Sequence, residues 1–350
     1  MKQRRDGFIM KIGAPVGYLI VFIGLVGIIL VFTFSTNEKP IAKEIVKSST
    51  LLITGVILPD KIDFAGEQVP LDNFDVKESL ERELLINSYW HSQTLMLLKR
   101  STRYFSQIEP ILKKNNVPDD VKYMALAESG FTNVSSPAGA VGFWQFLPGT
   151  AKEYGLEISK EVKKELNIEV NKEVDERYHV EKSTQAACKY LVYLYHKYGT
   201  WTMAAAAYNT GPQSLNKSIQ RQYTKNYYDL LLNDETARYV YRVIALKLII
   251  SDPQKYGFNL AKEDYYQPIP YTEVTVNRTI KDLAAFALEK GTNYKILKTL
   301  NPWLRDASLT IIGPKIYTIK IPASGYRKID KELKKEEIDQ IISQSDQPAK

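Results

Sequence analysis

Among 350 residues there is one cysteine, Cys188, and there are three histidines, His91, His179 and His196. A lone thiol excludes an intramolecular disulfide, and three scattered imidazoles without paired ligand spacing give no metal site. Cys188, between Thr184 and Leu191 at helical spacing, reads as a small buried hydrophobe. The chain also lacks a concentrated basic stripe, despite a formal charge of +7. With no recognition motif either, nucleic acid is a poor partner. Four cations against Asp6 put +3 of that charge in the first 34 residues, leaving a mild positive excess suited to an anionic polymer.

What the chain does have near its start is a run of 19 uncharged residues, Val16 to Phe34, behind Lys2, Arg4, Arg5 and Lys11. That run is long enough to span a bilayer, and its basic flank sets residues 1–15 in the cytoplasm. A cleaved signal peptide would have a shorter apolar stretch and an A-x-A-like site, which FTFSTNEKP does not offer. No cysteine follows the run to take a lipid. The expectation is an uncleaved transmembrane signal-anchor over 16–34.

Length allows more than one domain beyond it. Residues 35–75 read as a tether and 76–255 as a helical domain. Residues 256–270, containing QPIP, read as a linker, 271–322 as a small module and 323–350 as a polar tail. Leu80, Leu84, Tyr89, Leu95 and Leu98 recur at helical intervals, as do Tyr104, Phe105, Ile108 and Leu112, with Pro110 expected to interrupt the second set. The charge-dense 152–182 reads as a solvated excursion. A helix with Ala187, Tyr190, Leu191, Leu194 and Tyr198 on its apolar face follows and ends at Gly199. The next helix delivers Tyr208 and Asn209 before Gly211-Pro212, where the pair reads equally as a cap or as a ligand contact. Thr236 to Ile250 forms a last core helix with Tyr239 inward. Residues 271–322 run strand, helix, helix, strand.

The chemistry concentrates between Met124 and Ala151. A helix starting after Pro118-Asp119-Asp120 stops at Gly130, so Glu128 falls in its last turn. There the negative end of the macrodipole and burial beside aromatics both favour the protonated carboxyl. Such a group can act as a general acid at neutral pH. The small residues from Ser136 to Gly142 allow a tight turn or close approach of a ligand, and Phe143-Trp144-Gln145-Phe146 offers stacking rings and an amide.

Glu128-Ser129-Gly130-Phe131, Ser136-Pro137-Ala138-Gly139-Ala140-Val141-Gly142-Phe143-Trp144-Gln145-Phe146 and Ala207-Tyr208-Asn209-Thr210-Gly211-Pro212 together resemble the signature of family 1 lytic transglycosylases. Leu58-Pro59-Asp60, Gly66-Glu67, Arg103-Tyr104-Phe105, Pro118-Asp119-Asp120, Asp175-Glu176-Arg177 and Ser183-Thr184 extend the resemblance, to the D-type membrane-bound murein transglycosylases, over residues 58–250. It implies a mainly α, lysozyme-like (SLT) helical catalytic domain acting on bacterial peptidoglycan, without a cofactor. Glu128 would be the single catalytic acid and base, and the product would be a 1,6-anhydro end. Ser129, Ser136, Gly142, Trp144, Gln145, Tyr208, Asn209 and Tyr239 would bind substrate, with the Tyr208 hydroxyl near Glu128. Asp175-Glu176-Arg177 would brace the fold beside the cleft. Leu300-Asn301-Pro302-Trp303-Leu304 and Ile319-Lys320-Ile321-Pro322 make the last module similar to LysM, a small α+β (βααβ) glycan-binding domain, although Asn277-Arg278-Thr279-Ile280 replaces its usual first turn. Glycan binding and structural docking both remain open for it. With the N-terminal transmembrane helix, the implied placement is the inner membrane, single-pass, with the catalytic domain in the periplasm. A hydrolytic muramidase and a silent wall-binding scaffold are the alternatives.

Overall fold

The computed structural model describes residues 55–159 and 173–327. The expected anchor at 16–34, its flanks and the tail beyond 327 lie outside the described residues. No helix among the described residues is long and apolar enough to cross a membrane.

The described chain opens with a two-stranded hairpin, β1 (Asp63–Phe64) and β2 (Glu67–Gln68). Its Ile62, Phe64 and Val69 are buried in the main core, so the end of the expected tether is packed structure. Four helices follow: α1 (Phe74–Tyr89), α2 (His91–Lys114), α3 (Lys122–Ser129) and α4 (Pro148–Glu153). Pro110 lies inside α2 and does not interrupt it. Both Pro110 and Ser106, whose carbonyl loses its partner to the missing N–H, are exposed, so the loss falls on the solvent side of the helix.

Next come α5 (Val180–Tyr198), α6 (Trp201–Thr210), α7 (Pro212–Gln222) and α8 (Asp234–Ser251). Helix α8 lies along α1, and α6 packs on both α5 and α8. A run of four alanines, Ala204 to Ala207, is fully buried and lets these helix backbones approach closely. Arg238 Nε donates to the buried Glu83 at 2.6 Å, joining α8 to α1. The fold is mainly helical, with one core cluster joining the hairpin and all eight helices.

The C-terminal part follows the expected order: β3 (Tyr271–Val276), α9 (Leu283–Glu289), α10 (Tyr294–Leu300) and β4 (Tyr317–Pro322). The two strands pair antiparallel from Tyr271 opposite Pro322 to Val276 opposite Tyr317. Asn301 links α10 to β4: its Nδ2 donates to the Lys320 carbonyl at 2.7 Å, and its Oδ1 accepts from Lys320 N at 2.8 Å. This module has its own core around Leu283, Leu297, Trp303 and Ile319, but Val141, Val174 and Tyr178 of the helical part belong to it. Residues 173–178 are all buried, so the far end of the charge-dense segment is interior and not solvated. They are buried because their polar groups are paired, as the site shows.

Candidate active site

Glu128 sits one residue before the end of α3, where Gly130 takes the left-handed conformation (φ 57°) and donates its N–H to the Leu126 carbonyl at 2.8 Å. Ser129 donates to the carbonyls of Ala125 (3.1 Å) and Phe143 (3.0 Å) and accepts from Phe131 N. Its hydroxyl therefore ties the helix end to the turn that follows. The Glu128 side chain is pushed up to about 7. Burial is the main cause; Tyr239 and Arg242 pull the value back, and the neighbouring carboxylate of Glu235 adds to the rise.

Two cavities share Glu128, the one residue that lines both. The first, of about 650 Å³, holds Ser136, Gln145, Tyr190, Tyr208, Asn209 and Glu235. The second, of about 470 Å³, has Trp90, Gln93, Arg100 and Arg242 on its walls. Trp90, 60% exposed at the junction of α1 and α2, offers the second cavity an open ring.

The turn from Ser135 to Phe146 is built by its own hydrogen bonds. Ser136 N donates to the Ala140 carbonyl at 2.8 Å, and Ser136 Oγ accepts from Ala140 N at 3.0 Å. Arg177 braces this turn from outside, donating through Nη1 to the carbonyls of Gly139 (2.9 Å) and Phe146 (3.1 Å). Asp175 holds that guanidinium at 3.0 and 2.7 Å. Gly142, at φ 79°, stands so close to the Arg177 backbone that a Cβ would lie 2.0 Å from its carbonyl oxygen. At Gly142 the close approach is made by protein backbone, while Ser136, Pro137, Ala138 and Ala140 line the larger cavity.

Trp144 is also corrected. Its side chain is fully buried, with Nε1 donating to Thr184 Oγ1 at 2.9 Å, so the ring packs the core and presents no face to a sugar. Aromatic type and Gly-rich neighbours do not distinguish a core ring from a stacking ring. The cleft wall is instead Phe146, Tyr208 and Tyr190; Tyr208 lies 6.0 Å from Phe146 and 5.4 Å from Tyr190, centroid to centroid. Tyr190, read as a core residue of α5, faces this wall.

Tyr208 donates its hydroxyl to the Trp144 carbonyl at 2.6 Å, so its proton is committed to the turn, not to Glu128. The charge of Glu128 is nonetheless felt there, adding to the burial that raises the phenol well above its ordinary value. Asn209 Oδ1 accepts from Thr236 Oγ1 at 2.8 Å, fixing the amide between α6 and α8 at the cleft edge. Gln145 has a strained backbone (φ 46°) and donates to the carbonyls of Gly142 (2.9 Å) and Val134 (3.2 Å). Tyr239 is buried behind the acid and lines neither cavity. Sequence reasoning missed Trp90, Glu235 and Arg242. Position within α8 held a clue for the last two: each is three or four residues from Tyr239 or Arg238, on faces a helix wheel puts beside them.

These features set a half-buried acid on the lining of two cavities, with Glu235 a second carboxylate in the larger. Residues 106–231 match the transglycosylase SLT domain, and residues 272–325 match the soluble lytic transglycosylase C-terminal LysM-like domain. The two matches follow in that order along the chain, and its resemblance to the lytic transglycosylases is thereby shown.

Among curated proteins it is similar to membrane-bound lytic murein transglycosylase D of Escherichia coli (strain K12), with 27% identity over 260 residues. That alignment spans 72% of this chain and 53% of the relative, and the protein of the same name in a second Escherichia coli strain aligns equally. The chain therefore spans about half the length of the curated relatives it matches. Among solved structures, the 70 kDa soluble lytic transglycosylase SLT70 from Escherichia coli aligns at 18% identity with a TM-score of 0.35. That match covers 54% of this chain and 33% of that one.

Proposed function

We propose that this protein is a peptidoglycan lytic transglycosylase that cleaves the β-1,4 bond between N-acetylmuramic acid and N-acetylglucosamine, leaving a 1,6-anhydro end. The observation that carries the reading is a carboxyl with a pKa of about 7 at the one point shared by two cavities. A strand lying through both would present its scissile oxygen to a group that is protonated near neutrality.

Protonated Glu128 gives its proton to the glycosidic oxygen as the bond to the muramyl C1 breaks. The 2-acetamido group of the same sugar supports the cation. Glu128, now a carboxylate held by Tyr239 and Arg242, takes the proton of the 6-hydroxyl while that oxygen bonds to C1. The acid ends protonated, and no water is consumed. Closure within one sugar has a high effective molarity, so no protein nucleophile is required. Ser136, Gln145 and Asn209 would hold the sugar in the larger cavity, with Tyr208 and Tyr190 as its wall. The reaction calls for no cofactor. Anchored through residues 16–34, the catalytic part would work in the periplasm at the inner membrane, for wall remodelling.

One observation favours a second reading. Glu235 places another carboxylate in the cleft, and a base there could activate water as a muramidase does. Digestion of purified sacculi by the full-length protein separates the two, because anhydro-ended muropeptides are lighter by one water than hydrolysed ones. Glu128→Gln should lower the rate by at least ~10²-fold, the usual worth of a general acid. Normal turnover by that variant would reject the assignment.

A further inference from the structure

The cavity that holds Glu128, Tyr208 and Asn209 contains two carboxylates and no cation. It suits neutral sugar rings. Substituents carrying negative charge must be met elsewhere. Of the two arginines in the second cavity, Arg100 donates to the Gly130 carbonyl and Arg242 interacts with Glu128, so both have tasks.

Helix α7 leaves the larger cavity directly, since Gly211 and Pro212 line it and begin the helix. No Asp or Glu occurs between Glu181 and Asp229. Within that stretch Lys217, Arg221 and Lys225 follow at four-residue spacing, all exposed and none in an ion pair among the described residues. Lys217 and Arg221 line an open cavity of about 270 Å³ with Ser218, Gln222 and Leu231.

This patch is built and fixed. Gln222 Nε2 donates to the Leu231 carbonyl at 2.8 Å, and its Oε1 accepts from Leu231 N at 2.7 Å. The clamp leaves Leu231 84% exposed, while Tyr223 stands 95% exposed at the end of α7 in a left-handed conformation (φ 57°). Asn233 Nδ2 then reaches back to Thr210 Oγ1 at 3.3 Å, on the wall of the larger cavity. The patch is thus joined to the cleft from both ends, through α7 and through the returning loop.

We infer that this patch is an accessory substrate site that binds the carboxylates of peptide stems on muramic acid, so the enzyme acts preferentially on peptide-bearing strands. The inference rests on the proposed function. Lys217 and Arg221 stand five and nine residues after Pro212, ~8 and ~14 Å along α7, which places them beyond the sugars at the reaction centre. Lys217 and Arg221 supply charge, Ser218 supplies a hydrogen bond, and Tyr223 and Leu231 cover the aliphatic parts of the stem.

The test compares two substrates with the full-length protein: glycan strands with their stems, and the same strands stripped by an amidase. Replacing Lys217, Arg221 and Lys225 together by Ala should lower kcat/KM on stem-bearing strands by about tenfold at low salt. Activity on stripped strands should not change, and salt should erase the wild-type preference. Charge-retaining replacements (Lys217→Arg, Arg221→Lys, Lys225→Arg) should keep most of it. Equal behaviour of wild type and the Ala variant on both strands would overturn the inference, as would equal losses on both. A variant whose only defect is weaker binding to vesicles containing anionic phospholipid would overturn it in favour of a membrane contact. If the wild type releases no product from either strand, it is the lytic transglycosylase reading itself that fails.

Discussion

At the scale of single residues, the governing quantity is the affinity of Glu128 for its proton. Its folded value, about 7, lies above the 4.5 of a free glutamate. Between those values the folded state keeps a proton that the unfolded chain has released, so stability falls as pH rises through that window. Glu128→Gln removes the buried charge. The variant should match the wild type in stability at pH 4 and exceed it at pH 8 by on the order of 2 kcal/mol, measured by urea unfolding. An equal stability difference at both pH values would mean that burial does not raise this carboxyl. Activity carries the same signature, because the acid must begin protonated: the rate should fall above pH 7. A second residue-scale outcome concerns Gly142. With a Cβ 2.0 Å from the Arg177 carbonyl and φ at 79°, Gly142→Ala should cost at least ~3 kcal/mol or prevent folding, as seen by circular dichroism.

At the scale of elements, α6 depends on a residue far from it in sequence. Glu67, on β2, accepts from Thr202 N and Thr202 Oγ1 at 3.0 Å each and also from Trp201 N, satisfying the first donors of the helix whose other end carries Tyr208 and Asn209. Glu67→Ala should cost ~1–2 kcal/mol, the usual value of a helix cap, with Glu67→Gln recovering part of it. An unchanged urea midpoint would show that solvent replaces the carboxylate.

This cap also marks where sequence reading stops. The helix bearing Glu128 was legible because Pro118, Asp119 and Gly130 punctuate it locally. The strand-helix-helix-strand order was legible from periodicity. Nothing local marks Glu67 as the cap of a helix 134 residues away. Trp144 and Tyr190 exchanged their expected places for a related reason. Residue type says that a ring will be covered, but only packing says by what.

At the scale of the molecule, the C-terminal module packs on the segments that frame the cleft. Glu173 accepts from Ser308 Oγ, Thr310 N and Thr310 Oγ1, and its carbonyl accepts from Arg305 N at 2.7 Å. Glu157 accepts from Lys315 and Tyr317, and Glu181 pairs with Lys320. His179 stacks on Trp303 beneath these contacts. The decisive residue is Val141, which belongs to the module's core while its neighbours Ala140 and Gly142 build the turn beside Glu128. The module's core is thus continuous with the turn that lines the cleft.

Glu173→Ala leaves the Ser308 hydroxyl and the Thr310 N–H without their acceptor, at a cost of about 2–3 kcal/mol. Because Val141 is common to both, the loosening should not stay in the module. Amide hydrogen exchange should speed up at residues 139–146 as well as at 303–310, and the rate on stripped strands should drop even though Glu173 is not part of the cleft. Faster exchange confined to 303–310, with an unchanged rate, would mean that the module rests on the catalytic part without holding its turn in place.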